Sequence, residues 1–596
     1  MFFKQIFLRH SSFIASIILI CFVVILYGGT VKNGFFEDDK WLIVGNKQIQ
    51  SLSNLPKLFN TCTQEAKITC PSGRYYRPLE LVVFSIIYQL NNYSSSPPLF
   101  HAVNIIAFVI LSLLVFRLMK VFLPGTLLPF FTTLLFVGHP INTEVVNWVS
   151  AVEEIIMAIL VLSMVLLYMQ YQKTKKIVFL VFSLCSFLLA FLTKETSVLL
   201  VFFPLLLDIT KSSMKISPRS LLRSRKVIIA YAIPLGFYLF IRRNAFGYFT
   251  MGSEVYHMSV FTRVLTAFSL YPRYLLKLFF PIQLDVWHQL FPTTSPDIWV
   301  VLGVILTFAT FFVLYQFWRS RCKVLVYGIS LILVPLFLVL VMTDKLGPYI
   351  FAERYLLIPS IGLALIVGFV AKKGIGRWGN RALYILIPLF IFYLITGSFL
   401  ILLRNQDWKD EPTLIKSHIK INPEDAYFYY YYLGQQYFDN GDFAKAKSEL
   451  DQALALNPTE PRVLYLLARI PKTYETKDIY FQYPSLLVLT EQTKGIKLES
   501  SNGFAITIVK GQKNPQVSFE TYISSQKGTY GTLIHQGLAQ IPNVDVAYVR
   551  FWNKDDVKLY EFFLFKKNTV LIITVSPADS PLMQDFDEIV KSMKIY

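Results

Sequence analysis

Long apolar runs broken by short polar loops dominate the first two thirds of the chain. Runs that approach the ~20 apolar residues needed to cross a bilayer occur near 13–30, 99–118, 127–138, 155–170, 177–193, 196–208, 228–243, 298–318, 324–343, 355–371 and 382–403. They predict about 11 transmembrane helices. Two further apolar stretches, 79–90 and 264–282, carry Glu80 or Pro272, Arg273 and Lys277. They are expected to lie at the membrane interface rather than cross it. The N-terminal segment MFFKQIFLRHSS leads into an apolar run without a clear small-residue cleavage site, so a retained first helix is expected.

The pattern changes after Leu403. The stretch from Tyr427 has the spacing of one 34-residue tetratricopeptide repeat, with Tyr430, Leu433, Gly434, Tyr437, Ala446, Leu450, Ala453 and Pro458 at the repeat positions. Residues 412–423 resemble the second helix of a degenerate repeat. Residues 461–472 begin another that meets Pro471. Alternating apolar positions then predict strands at 485–491, 504–510, 516–523, 544–552, 557–565 and 569–576, followed by an amphipathic helix at 582–593. The expected organisation is a polytopic α-helical membrane domain over 1–403, a TPR-like helical segment over 404–472, and an α+β sandwich-like domain over 473–596.

Charge sets an expected topology. The net charge is +19, and 54% of residues are hydrophobic against 16% charged. The basic residues sit in alternate loops, such as Lys173, Lys175 and Lys176 or Lys372, Lys373, Arg377 and Arg381, with no acid among them. The positive-inside rule makes those loops cytoplasmic. The N-terminus is then cytoplasmic, and the repeat and C-terminal domain are extracytoplasmic, with the plasma membrane as the expected location. No nucleic-acid-binding motif is visible, so the charge points to the lipid bilayer.

The acids collect on the other side: Glu37, Asp38, Asp39, Glu144, Glu153, Glu154, Glu195, Glu254, Asp285 and Glu353. Near them lie Arg77, His139, Lys194, Lys277 and Arg354. A carboxylate there could serve as general base on a hydroxyl, and Arg or Lys could neutralise a departing phosphate. Each residue also has a structural reading: a solvated turn for Asp38 and Asp39, a helix-end ion pair for Lys194 and Glu195, an interfacial anchor for Arg354, a loop ion pair for Arg77, a cap for His139. His535 stands alone and reads as structural. Cys62 and Cys70 share the first outer loop and are disulfide candidates. Adjacent carboxylates could take Mg2+ or Mn2+, yet the His and Glu residues lack ligand spacing, so no cofactor or metal is expected to be required.

The motifs FFEDDKWLIVGNKQI, YYRPLE, FHAVNIIAF, GHPINTEVVNWVSAVEEI, TKET and ERYLLIPSIG, in that order and followed by the repeat, resemble the transmembrane-and-TPR (TMTC-like) O-mannosyltransferases of the GT-C superfamily, over roughly residues 1–460. The ending, with KLYEFFLFKKNTVLIITVS and FDEIVKSMKIY, looks like a PsbP/Mog1-like domain. The first resemblance implies a GT-C fold and inverting transfer of a sugar, mannose, from polyprenyl phosphate to a hydroxyl of a protein or glycan acceptor. It implies Asp38 or Asp39 as base, with Asp38 preferred. Arg354, Arg77 and Lys194 would bind the donor phosphate. His139, Glu144, Glu195, Glu353 and Tyr355 would line the donor and acceptor pocket. A lipid or cell-surface glycan acceptor, a non-enzymatic scaffold with a degenerate core, and a transporter remain as alternatives. The relatives usually carry several tandem repeats, and this chain shows one clear copy.

Overall fold

The computed structural model describes residues 2–60, 75–212, 218–246, 258–288, 290–343, 349–493, 495–526, 532–541, 544–554, 557–578 and 580–595. Cys62 and Cys70 lie outside the described residues. The chain divides into two compact units, Met1–Ile421 and Asn422–Tyr596.

The first unit is helical. Among the described residues, seven stretches are long and apolar enough to cross a membrane: Ser12–Lys32, Pro97–Phe122, Val149–Thr174, Arg225–Ala245, Ile298–Arg319, Lys323–Val341 and Glu353–Asp407. The last holds two helices, Leu357–Trp378 and Leu383–Asp407, joined through Gly379–Ala382. Several of the runs expected to cross are shorter as helices. Leu128–Val137 has 10 residues and Ile177–Thr193 has 17. The run at 196–208 splits into a 3-10 segment, Glu195–Val201, and an 11-residue helix, Phe202–Ser212. At 1.5 Å per residue a 10-residue helix covers about 15 Å, half of a bilayer core.

Breaks at the ends of these helices build the polar face. After Val137 the chain runs through Pro140–Asn142, Thr143–Asn147 and Val149–Ala151, three short helical pieces that are buried throughout. A second break, Glu353–Leu356, precedes the helix beginning at Leu357. The Glu411–Ile421 helix, expected as part of the repeat segment, falls within the first unit and buries Leu414, Ile415, His418 and Ile419.

In the second unit, Ala426–Asp439 and Phe443–Leu456 form the two repeat helices. They cross tightly at Gly434, where an added Cβ would stand 2.5 Å from Leu450 Cγ. Gly441 turns the chain between them at φ +77°, a conformation that costs other residues more. The helix Pro461–Arg469 stops just before Pro471, which opens a strand instead.

Ten strands follow among the described residues: β1 Pro471–Glu475, β2 Ile479–Pro484, β3 Val488–Gln492, β4 Gly495–Glu499, β5 Ala505–Gln512, β6 Thr532–Ala539, β7 Val546–Lys554, β8 Val557–Lys566, β9 Thr569–Ser576 and β10 Lys594–Ile595. Seven form one antiparallel sheet in the order β3-β4-β5-β9-β8-β7-β6, and β1-β2-β10 form another. The helix Met583–Ser592 packs Phe586, Ile589 and Val590 into the core between Phe481, Ile506 and Ile573. The segment 516–523, expected as a strand, is a helix over Phe519–Ser525. Ser518 caps it by accepting from the Thr521 N–H, a local bond that outweighs the alternating pattern.

Candidate functional site

The acidic turn follows the first helix. Glu37 takes φ +37°, an uncommon conformation for a side-chain-bearing residue. It turns the chain into the short helical segment Lys40–Val44. The two aspartates then separate. Asp39 is 1% exposed. Its Oδ2 accepts the Phe36 N–H at 3.0 Å, and its Oδ1 accepts the Ser150 N–H at 2.8 Å together with the Ser150 hydroxyl. It therefore pins the turn to the Val149–Ala151 segment. Asp38 is only half-buried. Lys40 pairs with Glu411 at the edge of the turn. Phe36 lies among Trp148, Trp287 and Trp408, with ring centroids 5.2–5.6 Å away.

Burial, and then the Asp38 charge, push Glu37 up to about 7, against the pull of Arg354. Burial, with the Asp38 charge adding to it, outweighs the hydrogen bonds from Ser150 and Phe36 and pushes Asp39 up to about 7. The folded state therefore holds these protons more tightly than the unfolded chain, whose values are 4.5 and 3.8. Stability from this pair is full below about pH 4 and is lost as pH rises toward 7. Thermal unfolding of the full chain in detergent is expected to show a lower midpoint at pH 8 than at pH 5. Glu37→Gln should shrink that difference, and an undiminished difference would refute the assignment.

Arg354 stands near Glu37, on the break before the Leu357 helix. Glu144 holds it twice: Oε1 accepts from Nη1 at 2.7 Å and Oε2 from the Arg354 backbone N–H at 2.9 Å. The guanidinium lies 5.0 Å over the Trp148 ring and 5.3 Å over Tyr355. Its Nε and Nη2 carry no hydrogen bond among the described residues, and the side chain keeps 18% exposure. A recess of about 20 Å³ adjoins it, walled by Met157, Leu200, Pro335 and Val339, with room for about one water.

A buried ionic cluster adjoins this pair. Lys194 lies 5.4 Å over the other contact ring, Tyr355, and donates to Glu153 at 2.6 Å and Glu154 at 2.5 Å. Arg77 donates to the same Glu153 at 2.5 Å and to Glu195 at 3.1 Å, and lies 4.3 Å over Tyr75. Glu195 also accepts the Tyr76 N–H at 3.0 Å. Burial, then Glu153, holds Glu80 well above the usual carboxylate range, and Asp38 adds to the push. Arg77, Lys194 and Arg354 thus each have a carboxylate partner in place.

Two predicted residues sit in different roles. His139 Nε2 donates to the Leu278 carbonyl at 2.9 Å while Nδ1 accepts the Ile141 N–H at 3.2 Å; it fastens the Gly138–Asn142 corner. Glu353 accepts from the Asp285 N–H and from His288, both at 2.9 Å, with Lys277 at 3.7 Å. Asp285 in turn meets His418 at 2.7 Å. Ser150, His288, Glu411 and His418 were not among the sequence candidates, and Glu153 and Asp285 were named only among the acids of that face. Ser150 and Glu153 lay inside the quoted WVSAVEEI motif, but their partners are more than forty residues away. Among the described residues, no group of three or more His, Cys, Asp or Glu side chains is placed to hold a metal.

Residues 428–470 match the family model for the tetratricopeptide repeat. A protein O-mannosyl-transferase of Caenorhabditis elegans is 25% identical over 461 residues, 74% of this chain and 63% of that protein. The protein O-mannosyl-transferase TMTC3 of Homo sapiens is 24% identical over 601 residues, 91% of this chain and 61% of that protein. The Tmtc2 protein O-mannosyl-transferase of Drosophila melanogaster is 33% identical over a shorter 140 residues, 24% of this chain and 14% of its own length. The chain thus spans about three fifths of the length of its longer-matching relatives. The solution structure of cyanobacterial PsbP from Synechocystis aligns with 21% of this chain at TM-score 0.18 and 11% identity, covering 92% of that chain, a likeness too low to assign a fold. By sequence the chain is similar to these protein O-mannosyl-transferases.

Proposed function

We infer that this protein is a GT-C glycosyltransferase that moves mannose from a polyprenyl-phosphate donor to a Ser or Thr hydroxyl of a protein. Transfer takes place on the extracytoplasmic face of the plasma membrane. The observation that carries the reading is the acidic turn with one half-buried and one fully bonded aspartate, facing an arginine held by Glu144. The relatives' names supply the sugar and the protein acceptor.

In this reading Asp38 is the general base. The acceptor oxygen attacks the anomeric carbon from the face opposite the phosphate, and its proton passes to the Asp38 carboxylate. The bond between that carbon and the phosphate oxygen breaks, the configuration inverts, and polyprenyl phosphate leaves with the electron pair. Arg354 takes the developing phosphate charge through Nε and Nη2, since Glu144 fixes the opposite edge. Lys194 and Arg77 stand behind it, where Glu153, Glu154 and Glu195 outnumber them, so they hold that wall in place rather than add net positive potential. Glu353 and Tyr355 set the direction of Arg354 from either side in sequence.

Transfer from polyprenyl-phosphate mannose to a Ser/Thr peptide by the reconstituted full chain tests this. Labelled peptide is the expected product. No product from any polyprenyl-phosphate sugar would overturn the enzymatic reading, and product only with a lipid or glycan acceptor would replace the protein acceptor.

A further inference from the structure

We propose that the cleft between the helices Leu357–Trp378 and Leu383–Asp407 is a binding site for one anionic glycerophospholipid, with its headgroup at Lys372 and an acyl chain along the cleft. This site is separate from the transfer site, and only its distinction from the sugar donor rests on that reading.

The two helices are joined at Gly379–Ala382 and diverge from there. The short Leu128–Val137 helix forms the floor. The cavity between them has a volume of about 870 Å³, the upper range for a small-molecule site. Its walls are apolar, including Leu135, Leu363, Val367, Leu386 and Phe390. Ser360 and Gly376 both line it, and sixteen helical residues separate them, about 24 Å at 1.5 Å each. That is most of a ~30 Å hydrocarbon core, the reach of an extended acyl chain. Val367 is 41% and Leu389 59% exposed on these bilayer-length helices. In a membrane, hydrocarbon fills such a space.

The polar groups place the head. At one end, Ser360 donates to the Leu357 carbonyl at 2.7 Å, and His139 has both ring nitrogens bonded to backbone. Neither offers charge to a lipid. At the other end Lys372 lines the cleft beside Thr126. It reaches the Pro124 carbonyl only at 3.5 Å and makes no ion pair among the described residues. Lys373 lies 5.7 Å from the Phe369 ring, and Arg377 and Arg381 follow. No Asp or Glu occurs between Glu353 and Asp407, so these four cations meet no acid from their own hairpin. An anionic headgroup complements them and a zwitterionic one does so less.

Position also keeps the sugar donor's phosphate away from Lys372. Arg354 precedes the Leu357 helix, eighteen residues before Lys372, about 27 Å along the axis. A lipid whose phosphate lies at Arg354 cannot place it at Lys372. The bound lipid would wedge the hairpin that begins immediately after Arg354 and Tyr355.

Native mass spectrometry of the delipidated full chain, titrated with phosphatidylglycerol or phosphatidylcholine, tests the proposal. One phosphatidylglycerol should bind preferentially. A juxtamembrane lysine is worth about fivefold in affinity, so Lys372→Ala with Lys373→Ala should weaken phosphatidylglycerol binding by about 25-fold and leave phosphatidylcholine binding little changed. Val367→Trp, which fills the cleft, should reduce binding of both lipids. Equal affinity for the two lipids, undiminished binding by the lysine variant, or displacement of phosphatidylglycerol by one equivalent of polyprenyl phosphate would overturn the site. An unchanged melting midpoint for the lysine variant separates lost contact from lost fold.

Discussion

Asp38→Asn is expected to lower sugar transfer by about 10²- to 10⁴-fold, the usual contribution of a positioned general base. The neighbouring Asp39→Asn should act differently. Asp39 is buried and accepts three hydrogen bonds from Phe36 and Ser150, which occupy three of a carboxylate's roughly four acceptor sites. An amide there turns a donor toward an N–H or O–H that needs an acceptor. The expected cost is about 1–3 kcal/mol of stability, with the remaining folded protein still active. Initial rates with polyprenyl-phosphate mannose, normalised to folded protein by thermal unfolding, separate the two effects. Full activity in Asp38→Asn would remove the base assignment, and a selective loss of rate in Asp39→Asn would move it one residue along. This contrast sharpens what the sequence left open, since FFEDD presents two equivalent aspartates until Ser150 claims one of them.

That difference illustrates what was legible in the chain and what was not. Local periodicity revealed the repeat because Gly434, Ala446 and Leu450 meet within one hairpin of helices. It also revealed the apolar helices, although the charges and prolines near their ends did not show how short Leu128–Val137 would be. The expected strand at 516–523 failed because alternation at Val517, Phe519, Thr521 and Ile523 is shared by a short helix whose start depends on the Ser518 cap. The site residues were recognisable as chemistry at helix ends, but their partners were not. Arg354 and Glu144 are 210 residues apart, and Asp285 and His418 are 133 apart. No local pattern encodes such pairs. The Glu411–Ile421 helix looked like part of a repeat, because its amphipathic spacing says that one face is buried without saying against what.

Glu153→Ala is expected to produce the largest loss of stability of any single carboxylate change in the ionic cluster. Glu153 is 5% exposed and serves two cations, Arg77 through Oε2 and Lys194 through Oε1. Alanine leaves Lys194 with Glu154 and Arg77 with Glu195, so both cations lose a partner at once and the cost approaches, without reaching, the about 3–5 kcal/mol of an uncompensated buried charge. Glu154 serves only Lys194 among the described residues, so Glu154→Ala should cost less because Glu153 still holds that lysine. Glu153→Gln keeps the volume and one carbonyl acceptor, and should fall between them. Thermal unfolding midpoints of the three variants in one detergent give the order. Equal midpoints for Glu153→Ala and Glu154→Ala would mean that Glu153 does not bridge the two cations. The order matters for function because Arg77 and Lys194 are useful to a departing phosphate only while Glu153 keeps them together. A variant that frees their charge should increase local attraction for phosphate and lose the geometry that directs it, so transfer should fall with stability even as positive potential rises.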